Sequence, residues 1–237
     1  MRIFRSFNIG QNIGIFFFFI SLFLNFLIIL LPLNFFPPEE VKLFRQILNI
    51  ANVAVPIFIL GIDNSVPILT LNRILSFAKY HFFITFLVVI FSLFYESILS
   101  IALSLSIASI VVASSLARKV GNMKFYFFST QLVQKILILL IVCLYILYKV
   151  ISINDYFKIL CILCLTYSVL IYLNLREEKS KANIISFYKT ALDSIRFGIS
   201  AAFYQFLIRS PYFLLLPAAS ATTINKYDLA LACSQTI

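Results

Sequence analysis

The sequence predicts an all-α, polytopic membrane protein, and three observations carry that expectation. Of the 237 residues, 62% are hydrophobic and only 12% are charged, against about 45–50% and about 25% in soluble domains. Mean hydropathy is +1.03. Long apolar runs recur along the chain with short polar links between them, and about twenty helical residues cross a hydrocarbon core of about 30 Å. In such a chain the net charge of +10 is topology information, not the footprint of a nucleic acid. The water-soluble classes, nucleic-acid binding among them, are excluded.

The first span is expected at about Asn12 to Leu31, closed by Pro32. Arg2 and Arg5 precede it, but no small-residue cleavage site follows, so it reads as a retained span and not a signal peptide. The second is expected at about Ile47 to Ile62, with Asn49, Asn52 and Pro56 on one helical face and a kink at Pro56. The third, about His81 to Tyr95, is short: fifteen residues cover only about 22 Å, so it must extend past those limits. His81, the only histidine, reads there as an interfacial residue at a span end.

The fourth span, about Ile98 to Ala117, carries Ser106, Ser109, Ala113 and Ala117 at spacings of three and four, together with Ser100, Ser104 and Ala108. Small residues over so much of a helix predict close packing by its neighbours. The fifth is Phe125 to Tyr148, and the sixth about Phe157 to Leu175. Cys161 and Cys164 form a CxxC inside that apolar span with no histidine nearby, and read as packed thiols, not as a metal or redox site. The polar segment Arg176 to Arg196 follows, part of which, ISFYKTALDSIRF, can lie on the membrane surface as a short amphipathic helix. A seventh span is expected at about Phe197 to Leu216, then a loop entering an eighth.

With the N-terminus placed in the cytoplasm, twelve of the nineteen lysines and arginines fall in cytoplasmic segments and five in outer ones. That bias sets the expected orientation. The remaining two, Lys135 and Arg209, lie inside spans. A cation at the bilayer centre costs about 2.5–3.5 kcal/mol on insertion scales, so such residues face a bundle interior or a watery cavity. Gln131, Gln134 and Lys135 stand at i, i+3 and i+4 and share one face of a regular helix, and Gln205 and Arg209 stand at i and i+4. These five are the expected lining of a cavity prepared for an anion. Arg73, where the second span ends, can capture an anionic headgroup or serve only as a topology signal.

The run Pro38 to Pro67, with Pro38, Glu39, Glu40, Phe44, Gly61 and Asp63, resembles the first loop and second span of the polysaccharide-export flippases. These belong to the multidrug/oligosaccharidyl-lipid/polysaccharide exporter superfamily. Asn225 to Ala232, with Tyr227, Leu229 and Ala230, is similar to the matching loop into their eighth span. The resemblance implies a two-lobe, all-α transporter. Residues 1–175 would be the six-span N-terminal lobe, 176–196 a basic cytoplasmic linker, and 197–237 the start of the second lobe. Family members have twelve or more spans, so the expectation is a truncated first half.

The implied function is flipping of an undecaprenyl-diphosphate-linked oligosaccharide, an O-antigen or capsule repeat unit, across the bacterial inner membrane. Lys135 and Arg209 would attract the diphosphate, and Gln131, Gln134 and Gln205 would hydrogen-bond phosphate or sugar. The implied partners are that lipid-linked oligosaccharide, membrane lipids and other membrane proteins of glycan assembly. No catalytic, metal or cofactor constellation is legible, and energy input would fall to ion or proton coupling. Asp63 and Glu96 are the acids near spans two to four. Three alternatives remain open. A membrane enzyme of glycan assembly is expected to show a large outer loop, and a multidrug exporter an acidic cavity. The third is a non-functional fragment.

Overall fold

The computed structural model describes residues 2–149, 151–175 and 184–215, together with Ser220, Thr223 and Lys226. The side chains of residues 2–13, of Ile184 and Arg209, and of residues 211–215 fall outside that description, as does the loop expected to enter an eighth span. Every element among the described residues is helical.

The helices are α1 (Arg2–Phe35), α2 (Pro38–Ile59), the short α3 (Ile62–Ser65), α4 (Leu71–Phe94), α5 (Leu99–Lys119), α6 (Met123–Phe127), α7 (Gln134–Tyr148), α8 (Ile153–Leu175) and α9 (Ile184–Leu215). A π-helical segment, Phe128–Val133, joins α6 to α7. Six stretches among the described residues are long and apolar enough to cross a membrane. The chain is therefore a multi-pass membrane protein. α9 is not among the six.

Three helices begin well before the expected limits: α1 at Arg2, where Asn12 was expected, and α2 and α4. α2 starts at Pro38 and not near Ile47, because Pro38 stands at the first helical position and Glu39 and Glu40 occupy the first turn. Proline has no N–H to lose there, and the carboxylates face the positive end of the helix dipole. α4 starts at Leu71, ten residues before His81, which resolves the shortfall in length. His81 is thereby corrected from a span end to the body of α4. It is 5% exposed, and its Nδ1 lies 3.3 Å from the Thr85 hydroxyl.

α5 is the centre of the bundle, with 72% of its spanning window buried. Ala102, Ala108, Ala113 and Ala117 are wholly buried, which lets α2, α4 and α8 approach closely, as the small-residue pattern implied. Four of its serines cost little inside an apolar core because they turn back on their own helix, whereas the buried Ser106 hydroxyl has no hydrogen-bond partner among the described residues. Ser109 donates to Leu105 O at 2.9 Å, Ser114 to Ile110 O at 2.6 Å and Ser115 to Val111 O at 3.0 Å.

An aromatic plug joins α1, α2, α7 and α8 at the end of the bundle where α1 turns into α2. Phe36 lies 4.3 Å from Tyr145 and 5.8 Å from Phe44 between ring centroids, and Phe44 lies 5.4 Å from Phe157. Tyr145 also donates its hydroxyl to Glu40. At the opposite end, Leu60 and Gly61 both take positive φ, 53° and 70°, which ends α2 and turns the chain into α3. There Arg118 donates to Asp63 O at 2.6 Å and Lys119 to Val66 O at 3.2 Å, tying the end of α5 to this turn.

Residues 184–196, expected within a basic linker and as a separate surface helix, are instead the first part of α9, continuous with the stretch expected as a seventh span. This part of α9 packs on α4. Phe187 stacks on Phe77 at 5.3 Å, Thr190 and Ser194 are buried, and Ser194 shares a 2.7 Å hydrogen bond with Ser65. α9 then crosses the α2–α3 turn and continues along α2.

Candidate functional site

The second half of α9 closes one side of a cavity of about 540 Å³ whose other walls are α1, α2, α5 and α7. α2 supplies most of the polar lining. Arg45, Asn49, Asn52 and Pro56 follow one another at i, i+4, i+7 and i+11 and form one stripe along the helix, facing the cavity. Pro56 has no N–H for the Asn52 carbonyl four residues earlier, so an interior helix turn lacks its usual bond on this wall. Asn25 enters from α1, Gln134 and Lys135 from α7, and Gln205 beside Tyr204 from α9.

Two cations therefore share one cavity. Arg45 is 6% exposed and donates Nη2 to the Ile29 carbonyl of α1 at 2.9 Å, with its guanidinium carbon 5.9 Å from the Phe44 ring centroid. Lys135 donates Nζ to the Ser21 hydroxyl of α1 at 2.5 Å and to the Ser21 carbonyl at 3.2 Å. No carboxylate is among the described residues that line the cavity, whereas carboxamides stand on four of its helices. Chemically, the site offers charged donors and amide groups to an anion that also carries hydroxyls.

The expected residues divide. Gln134, Lys135 and Gln205 are brought together here. Gln131 is not on the wall, and its Oε1 is buried without a hydrogen-bond partner. The π-helical segment accounts for this. It holds Gln131 but ends before Gln134, and its wider turn breaks the 3.6-residue phase on which the shared face was read. Arg73 is likewise away from the cavity. Its Nη2 lies 2.5 Å from Asp193 and its Nε 3.2 Å from Thr190, so it fastens α4 to α9. The backbone of Arg209 belongs to α9 one turn beyond Gln205, and its side chain lies outside the described residues.

Arg45 is the functional candidate that sequence reasoning passed over. By hydropathy it counts among the five outer lysines and arginines, because a charge pair, Lys42 and Arg45, precedes the apolar part of α2. The signal was present: Pro38 and the two glutamates mark the start of the helix, and Arg45 then falls on the same stripe as Asn49 and Asn52. Among the described residues no group of three His, Cys, Asp or Glu side chains is placed to hold a metal ion. Cys161 and Cys164 are buried and unbridged, packed in the core under α5. No family model, no curated protein and no solved structure matches the chain.

Proposed function

We propose that this chain belongs to a flippase that carries a lipid-linked oligosaccharide, through its diphosphate, across the bacterial inner membrane. One observation carries the reading: Arg45 and Lys135, on two different helices, line the same membrane-embedded cavity. Each cation costs several kcal/mol to hold at bilayer depth, so a pair lining one cavity is expected to serve a charged cargo. A diphosphate answers both charges. The carboxamides of Asn25, Asn49, Asn52, Gln134 and Gln205 supply donors and acceptors suited to sugar hydroxyls. Moving such a molecule makes and breaks no covalent bond, so the residues needed are binding residues.

In this reading α1 to α8 form the six-span N-terminal lobe, with the N-terminus in the cytoplasm, and α9 is the first span of a second lobe facing it across the cavity. The resemblance of Pro38 to Pro67 to the polysaccharide-export flippases supports the same assignment. An acidic cavity is the mark of an exporter of organic cations, and no acidic side chain is among the described residues that line this site.

The test uses proteoliposomes holding the chain and a fluorescent undecaprenyl-diphosphate-linked glycan, with quenching from outside to report its leaflet. Wild-type protein is expected to equilibrate the lipid between leaflets. Arg45→Met and Lys135→Met are expected to insert normally and to slow that exchange at least about tenfold, the loss of one charge-assisted contact. Exchange at the wild-type rate in both variants sinks the proposal.

A further inference from the structure

The cavity's two cations both donate to one helix. Arg45 comes from α2 and Lys135 from α7, yet both donate to α1, one to Ile29 O and the other to Ser21 O and Oγ. Those acceptors are eight residues apart, about 12 Å along the helix, so α1 is held at two heights by the very groups that face the cavity. Apart from Phe17, which meets Phe128 edge-on at 6.0 Å, and the buried Ile28 and Ile29, α1 lies at the edge of the bundle. Only 17% of its spanning window is buried, against 72% for α5, and Phe16, Phe18, Phe19, Phe23 and Phe26 on it are exposed.

The geometry points to α1 as a strap that an anionic cargo releases by taking Arg45 and Lys135 away from it. The inference rests on the anion-binding reading of the cavity. A carbonyl is a neutral acceptor. A phosphate oxygen is a charged one and makes the stronger bond with a guanidinium or an ammonium. An anion in the cavity therefore competes for the same donors, and each donor it wins removes one of the two ties on α1. A ligand shifts a conformational equilibrium only through contacts that differ between the two states. Here the difference is explicit: the tethered state places a donor of each cation on α1, and the released state offers those donors to the ligand. The carbonyls that α1 gives up already belong to its own helical ladder, so release strands no buried acceptor.

The experiment measures the distance between α1 and α8 by pulsed electron paramagnetic resonance on the full chain in lipid nanodiscs. Spin labels replace Phe19 and Leu170, both exposed, after Cys143, Cys161, Cys164 and Cys233 are changed to alanine. Inorganic pyrophosphate is the probe, and its binding is measured on the same sample by calorimetry. Pyrophosphate is expected to bind and to move the distance distribution by a few ångströms. The Arg45→Met/Lys135→Met double variant, whose unbranched side chains suit a bilayer, is expected to show the released distance with no probe and to lose the pyrophosphate response. Ser21→Ala, which keeps both cations, is expected to move part of the way.

Three results overturn the strap. An unmoved distance in the double variant means that these bonds do not hold α1. Binding of pyrophosphate without movement means that cargo does not release it. Absence of pyrophosphate binding removes the anion-cavity reading itself, and is distinguished from the other two by the calorimetry.

Discussion

Gly61 and Gly198 lie in backbone contact, where α9 crosses the turn between α2 and α3. A Cβ on Gly61 would stand 2.4 Å from the Gly198 nitrogen, and one on Gly198 would stand 2.8 Å from the Gly61 nitrogen and from the Leu60 carbonyl carbon. Neither obstacle is a flexible side chain that can swing aside. Gly61 also has φ of +70°, which disfavours any side chain.

Gly198→Ala is therefore expected to force the two helices apart and to destabilise the protein by about 1–3 kcal/mol, the usual range for overpacking. Gly61→Ala meets both the clash and the strained backbone and is expected to cost more. Thermal unfolding in detergent, followed by a fluorescent thiol probe, reads both. Equal midpoints for wild type and Gly198→Ala would refute the close crossing.

The Arg73–Asp193 pair sits near this crossing but is worth less. The side chains are 28% and 54% exposed, and ion pairs so placed contribute about 0–1 kcal/mol. A double-mutant cycle with Arg73→Ala and Asp193→Ala is expected to return a coupling within that range, smaller at high salt. Lipid export in Arg73→Ala is expected to stay near wild type, because Arg73 does not line the cavity. Export abolished in a normally inserted Arg73→Ala variant would restore it as a cargo residue.

Tyr145→Phe removes the hydroxyl that Glu40 accepts from and keeps the ring against Phe36 and Tyr156. A part-buried carboxylate left without its donor costs about 1–3 kcal/mol. The expected result is lower thermal stability, recovered when Glu40→Gln is added to remove the charge. No recovery in the double variant would mean that the loss comes from ring packing.

Orientation is checked by labelling single cysteines with a membrane-impermeant maleimide on intact cells. Tyr95 and Val120 are both exposed, at opposite ends of α5. Tyr95→Cys is expected to react from outside and Val120→Cys only after permeabilisation. The reverse pattern inverts the topology inferred from the lysine and arginine bias.

Hydropathy and small-residue spacing made six spanning helices and the buried α5 legible, since both follow from local composition. What hydropathy hid was the polar margin of each helix. Arg73, Lys79 and His81 made the first turns of α4 look like loop, and Lys42 and Arg45 did the same for α2. End signals were the better guide in α2, where Pro38 with Glu39 and Glu40 marks the start. Part of the site was legible because a lysine and glutamines inside an apolar run stand out. Gln131 was misplaced because nothing in FSTQLV announces that the helix widens there. The engagement of Arg73 with Asp193, 120 residues away, is a tertiary event that no local pattern encodes.

α9 is one unbroken helix of 32 residues, and its contact at Gly198 divides it into two arms. Thr190 lies eight residues before that contact and Gln205 seven residues after it, arms of about 12 Å and about 10 Å. A rigid rod rocking on such a fulcrum carries its ends in opposite directions by nearly equal distances. If α9 rocks on that contact, a displacement of Thr190 from Arg73 arrives at the cavity wall almost undiminished, and reversed, as a displacement of Gln205.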